Sequence, residues 1–304
     1  MLSIRAVASG PPASLAVVTD SAATLPPDVA RCGCVSVVPL RMLAGDLVAD
    51  DGEAGSAAAI EAAAAQGERL TTARPSPERF AAAYRAAAET GAVAVLSIHL
   101  SGLLSGTVSS AALAASSAPI PVRVIDARSI GTGLGLVVLA AAAAALAGQG
   151  LDEAAAAAAS HADQVGSFFA LDEPDALLAG GRLLAARHAS QGSPAARLVS
   201  RPVLRIRSGQ VSTVDRVRTR AAAADLLVRL AGDAAAGLPA GCAVDVAVEH
   251  TSAPGRAAEL ADRLAAAVPR FGRSYLVQAS TAIRVHTGLG MLGVSVAPQH
   301  PADG

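Results

Sequence analysis

The chain is 304 residues long with 25 acidic and 24 basic side chains, a formal net charge of −1, and a composition that is 52 % apolar but only 2 % aromatic. That length accommodates two ordinary domains, each with its own core. Sparse, balanced charge supplies no field for nucleic acid or an anionic membrane, and the shortage of aromatics excludes stacking platforms for bases. All 24 basic residues are arginine. Without lysine the chain has no Walker-type phosphate loop, no kinase-type ATP lysine and no Schiff-base amine, so any phosphoryl transfer involving it falls to another protein. Cys32, Cys34 and Cys242 lack zinc spacing and read as reduced thiols of a cytoplasmic chain. The six histidines are scattered without ligand pairing, so no metal site is expected. Met1 to Pro12 has one Arg and no apolar core of signal-peptide type. The run Leu134 to Leu146 is apolar but about a third too short for a bilayer, and is expected to be a buried helix rather than an integral membrane segment.

In chain order, Leu15-Ala-Val17-Val18 reads as a buried first strand, followed by a polar Thr19-Asp20-Ser21 loop and a proline-started helix. Val35 to Leu40 is a second strand, Gly45 to Gly52 a turn-rich connection, and Ala54 to Gly67 an alanine helix. Pro75 and Pro77 hold Leu70 to Ser76 extended, leaving Thr71 and Thr72 outside any helix, and Ser76-Pro77-Glu78 starts a helix carrying Phe80 and Tyr84. Strands at Val93–Ile98 and Val122–Ile125 alternate with helices, which implies a parallel sheet with right-handed crossovers. After a helix over Asp152–Gln164 the character changes. Phe168 to Leu171 is a strand, Pro174 to Leu184 a short helix, and Pro202 to Arg218 a hairpin about Ser208-Gly209. Strands at Ala243–Val248 and Ser274–Ala279 flank a helix over Pro254–Val268, and His286 falls at the end of a closing strand-like run. The boundary is placed near residue 164: a parallel α/β domain over 14–164, then a mixed or antiparallel α/β domain over 165–298.

The stretch Ser97 to Ala111 holds five serines, one threonine and two glycines at the carboxyl end of a strand pattern. Hydroxyls and backbone N–H groups there suit a carboxylate or phosphate at a helix mouth; an ordinary N-cap is the alternative. Gly288-Leu-Gly290-Met-Leu-Gly293 matches a dinucleotide pattern, but a strand-like run follows it, and Gly131-Thr-Gly133-Leu-Gly135 lacks the last glycine. A serine hydrolase built from Ser105, His286 and Asp20 or Asp126 is one further reading. The arginines at 201, 205, 207, 216, 218 and 220 form either a solvated sheet face or a docking surface for an acidic or phosphate-carrying partner.

Seven segments in series resemble the DegV family of bacterial fatty-acid-binding proteins. They are Thr19-Asp20-Ser21 through Pro26, Thr71-Thr72-Ala-Arg-Pro75-Ser76-Pro77, Ser97-Ile-His-Leu-Ser101 with Leu104-Ser105-Gly106-Thr107, Val124-Ile-Asp126-Ala-Arg-Ser129, Gly180-Gly181-Arg182, Val217-Arg218-Thr-Arg220, and His286-Thr287-Gly288-Leu-Gly290. The resemblance implies a two-domain α/β carrier, its N-terminal parallel sheet flanked by helices and its C-terminal mixed sheet carrying helices, with one long-chain fatty acid between them. It implies that Thr72 and Ser105 hydrogen-bond the carboxylate, that His286 closes over it, and that Ser101, Gly106 and Thr287 complete the site. It further implies a separate kinase subunit that phosphorylates the bound acid to an acyl phosphate for phospholipid synthesis, with Arg218 and Arg220 facing that partner. No catalytic residue and no cofactor beyond the acid itself is implied. Three departures stand out: Ala73-Arg74 replaces the family's Ser-Gln, Ser101-Gly-Leu-Leu-Ser105 replaces Ser-Ser-Gly-Leu-Ser, and Leu289 replaces a proline. A carrier of another amphiphilic carboxylate is the nearest alternative.

Overall fold

The computed structural model describes residues 14–27, 29, 33, 35–172 and 200–299. Cys32, Cys34, His188, His300, the expected 174–184 helix and Gly180-Gly181-Arg182 lie outside the described residues. Strands β1 (Leu15–Asp20), β2 (Val35–Val38), β6 (Ala94–His99) and β7 (Val122–Asp126) form a parallel sheet in the order β2-β1-β6-β7. Successive side chains point to opposite faces, and both faces are buried. Leu15, Val17, Leu96 and Ile98 face α4 (Thr132–Leu146) and α5 (Leu151–Gln164). Val18 and Val95 face α2 (Pro77–Glu89) and α3 (Thr107–Ala115), where Phe80 and Tyr84 fill the core.

Where a turn-rich connection is expected, residues 41–50 form a hairpin. Strands β3 (Arg41–Ala44) and β4 (Leu47–Asp50) turn at Gly45-Asp46, and β5 (Leu70–Ala73) adds to β3 in the antiparallel order β4-β3-β5. Pro39 ends β2 two residues early, since it has no N–H for a ladder. Helix α1 (Ser56–Ala65) covers this small sheet.

The second large sheet contains β8 (Gly166–Ala170), β9 (Arg201–Arg207), β10 (Gln210–Val217), β11 (Val244–His250), β12 (Phe271–Gln278) and β13 (Leu292–Pro298) in the order β10-β9-β8-β13-β11-β12. Only β11–β12 is a parallel pair, so the sheet is mixed. Helices α6 (Arg220–Ala236) and α7 (Pro254–Ala267) cover one face. Helix α4 is wedged between the two large sheets: Leu134, Val137 and Val138 join the first core, whereas Leu136 packs on Ala247 and Ala297 of the second. A helix so placed must be apolar all round. The Gly131/Gly133/Gly135 pattern serves this wedge rather than a nucleotide, because a Cβ at Gly135 would collide with the Thr24 carbonyl and one at Gly133 with Ser129 and Ser167. Among the described residues no helix is long and apolar enough to cross a membrane.

The strand expected to end at His286 is instead a two-turn helix, α8 (Thr281–Thr287). Ser280 caps it through the Ile283 N–H at 3.3 Å, and Gly288, at φ 69°, ends it. Alternation of Ile283 and Val285 with polar neighbours imitates a strand, but the cap and the left-handed glycine decide for helix.

Candidate functional site

An apolar cleft opens between the two halves. The first half contributes Leu40, Leu100, Leu104 and Ile130, and the second contributes Phe169 and Leu171, Leu204 and Ile206 of β9, and Ile283 of α8. Alternation along β9 turns Leu204 and Ile206 inward and leaves Arg205 and Arg207 exposed. Among the described residues the polar lining consists of Thr72, Ser105, His286 and Thr287. Thr72 leaves β5 toward the cleft and hydrogen-bonds His286 Nε2 at 2.7 Å, a contact between the halves. Ser105 lies in the loop before α3, its hydroxyl 2.8 Å from that of Thr107. On α8 the positions i, i+3 and i+4, Ile283, His286 and Thr287, share the face toward the cleft. Thr287 returns its own hydroxyl to the Ile283 carbonyl at 3.1 Å.

Two carboxylates that the sequence did not single out hold the halves together. Asp51, in the turn after β4, receives hydrogen bonds from Ser21, Ser280 and the backbone of Thr281 and Ala282, so it sits at the N-terminus of α8; burial raises its pKa. Arg284 of the same helix pairs with Glu61 of α1. In the opposite direction Glu249 of β11 accepts from the Thr132 N–H at 3.2 Å and hydroxyl at 3.3 Å, at the N-terminus of α4. Complete burial pushes Glu249 up to about 7, and its Oε2 has no partner among the described residues. Each half thus contributes a carboxylate to a helix start in the other.

The remaining expected residues are placed as follows. Ser101 does not line the cleft: fully buried, it donates to the Gly209 carbonyl at 2.8 Å and accepts from the Leu103 N–H at 3.2 Å, which pins the loop to the β9–β10 turn. Gly106 caps α3 beneath the Arg74 guanidinium, which a Cβ there would strike. Arg220 is engaged with Asp172 at 2.9 Å, a carboxylate it shares with Arg201 and Arg256, whereas Arg218 is exposed and its carbonyl accepts from Arg201. The hydrolase relay is not assembled. Ser105 meets Thr107, His286 meets Thr72, Asp126 accepts from the Gly102 and Arg128 N–H groups, and Asp20 meets His99. Instead, Asp20, His99, Ser97 and Tyr84 form a chain at 3.0, 2.7 and 2.9 Å. It is closed to any substrate, since each of these four side chains is 0 % exposed. Burial pushes the Tyr84 hydroxyl up to about 12. Among the described residues no group of His, Cys, Asp and Glu could hold a metal ion.

A family model described as "Uncharacterised protein, DegV family" matches residues 14–299. A DegV domain-containing protein of Streptomyces coelicolor is 40 % identical over 283 residues, 93 % of this chain and 98 % of that protein. Among solved structures, that described as fatty acid binding of a DegV family protein from Thermus thermophilus superposes with a TM-score of 0.84 at 30 % identity, covering 94 % of this chain and 99 % of the other. The structure of DegV from Bacillus subtilis, described as a fatty acid binding protein, gives 0.81 at 26 % identity over the same shares.

Proposed function

The chain belongs to the DegV family, and from that premise we propose that it is a carrier that binds one long-chain fatty acid between a domain over 14–164 and a domain over 165–298. The observation that carries this reading is the cleft itself: among the described residues its lining is apolar apart from hydroxyls and an imidazole contributed by both halves. A carboxylate cannot be buried unpaired, and Thr72, Ser105 and His286 offer it hydrogen bonds at the point where the halves meet. The tail supplies the affinity, at about 0.8 kcal/mol for each buried methylene before the costs of binding. The head group is positioned by the hydroxyls.

In this reading the protein acts in the cytoplasm and has no catalytic residue of its own. It presents the carboxylate to a separate kinase subunit, which converts it to an acyl phosphate for phospholipid synthesis. The absence of lysine supports that division of labour, because the chain alone lacks the usual ATP-binding amine. Arg218 and Arg220 face the partner; Arg218 stands exposed at the rim of the Asp172 cluster.

Calorimetric titration with saturated acids of increasing length tests the reading. Affinity that climbs steadily with each added methylene and then levels off is the expected result. Affinity independent of length would point to a small carboxylate, and no binding at any length would end the proposal.

A further inference from the structure

Among the described residues the polar end of the cleft contains hydroxyls and one imidazole but no arginine. An anion drawn out of water into an apolar cleft gains most from a formal positive charge, and one lies immediately outside. Arg74 stands two residues beyond Thr72, just past the end of β5, so its side chain leaves the strand on the side from which Thr72 enters the cleft. Its guanidinium lies against Gly106, next to Ser105: Nη1 would strike a Cβ built there, and Cδ would lie 3.0 Å from it. Arg74 therefore reaches from the end of β5, two residues past Thr72, to the loop that carries Ser105. The neighbouring Arg41 and Arg79 both face Asp50, whereas no carboxylate pairs with Arg74 among the described residues, and the side chain is exposed. Glycine at 106 is what permits the approach, since any larger residue would push the guanidinium away from the mouth.

We propose that Arg74 is a head-group residue, a cation at the mouth of the cleft that pairs with the anionic end of the bound lipid and makes the site selective for a charged head over a neutral one. The planar fork of a guanidinium matches a carboxylate through two parallel hydrogen bonds. The proposal rests on the carrier reading and adds to it the residue that discriminates head-group charge.

The test compares octadecanoic acid with octadecanol, equal in tail and differing in head charge, on the wild-type protein and on Arg74→Gln and Arg74→Lys. Wild type is expected to prefer the acid. Arg74→Gln should weaken the acid by about 10-fold or more while leaving the alcohol within about twofold, as expected for loss of a charged hydrogen-bond partner. Arg74→Lys should recover part of the preference, since charge returns without the fork. Equal loss for acid and alcohol in Arg74→Gln, or unchanged acid affinity, would overturn the proposal. So would a wild-type protein that binds the alcohol as tightly as the acid, with the carrier reading intact. Wild type that binds neither would remove the carrier reading and this proposal together.

Discussion

Among the described residues two constellations join hydroxyl side chains to a histidine, and their fates differ. Asp20, His99, Ser97 and Tyr84 form a continuous hydrogen-bonded chain through the first core, closed to solvent, with Asp20 also accepting from the Ala22 and Leu100 N–H groups at 3.0 Å. Thr72 with His286, and Ser105 with Thr107, form instead two separate pairs at the cleft, all but Thr107 partly exposed. The first set has the order of a catalytic relay and no access, so its work is to tie β1 and β6 to α2. The second set has access and no relay, so its work is to bind. Residue type alone does not separate them; position relative to the cleft does.

That contrast can be broken most forcefully at the buried chain. His99→Ala takes one hydrogen-bond partner each from Asp20 and Ser97 and leaves a cavity beside Phe80, and chemical denaturation should register a loss of about 3–5 kcal/mol. A variant that kept its stability but lost fatty-acid binding would reverse the roles assigned to the two sets. Next in size is Glu249, the carboxylate that crosses from the second half to α4. The unfolded chain releases this proton near 4.5 and the folded chain holds it to about 7. The folded state therefore binds more protons between those values, and stability falls as pH rises through them, by about 3 kcal/mol, then stays level above. Glu249→Gln should flatten that dependence and be the more stable protein at pH 8; an unchanged slope would assign the titration elsewhere.

At the cleft the effects are smaller and of another kind. Thr72→Ala and Ser105→Ala should each weaken acid binding by about 1–3 kcal/mol with little change in melting temperature. Unchanged affinity in both would relocate the head-group site. Smallest for the chain itself is Arg218→Glu, where lipid affinity and stability should match wild type while phosphorylation of the bound acid by the kinase partner slows. Equal rates would remove Arg218 from the partner surface.

Most of the scaffold was legible from apolar runs, because β1, β6 and α4 are buried on both sides and their composition says so. The β3–β4 hairpin was not, since four-residue strands flanked by Gly45, Asp46 and Asp50 carry too little pattern to stand out from a turn. Helix α8 was hidden by the strand-like alternation of Ile283 and Val285. Thr72 and Ser105 stand out through the family resemblance, and nothing in the local sequence separates Ser101 from them, because its partner Gly209 lies 108 positions away. Asp51 and Glu249 left no local signal at all. Each works by reaching a helix start in the other half of the chain, a juxtaposition created only by long-range packing.

The most direct test of the central claim is mass spectrometry of the intact protein, purified without added lipid and sprayed under native conditions, followed by extraction of what it carried. One long-chain fatty acid per chain is the predicted result. An empty protein that also takes up no fatty acid when offered one would contradict the account.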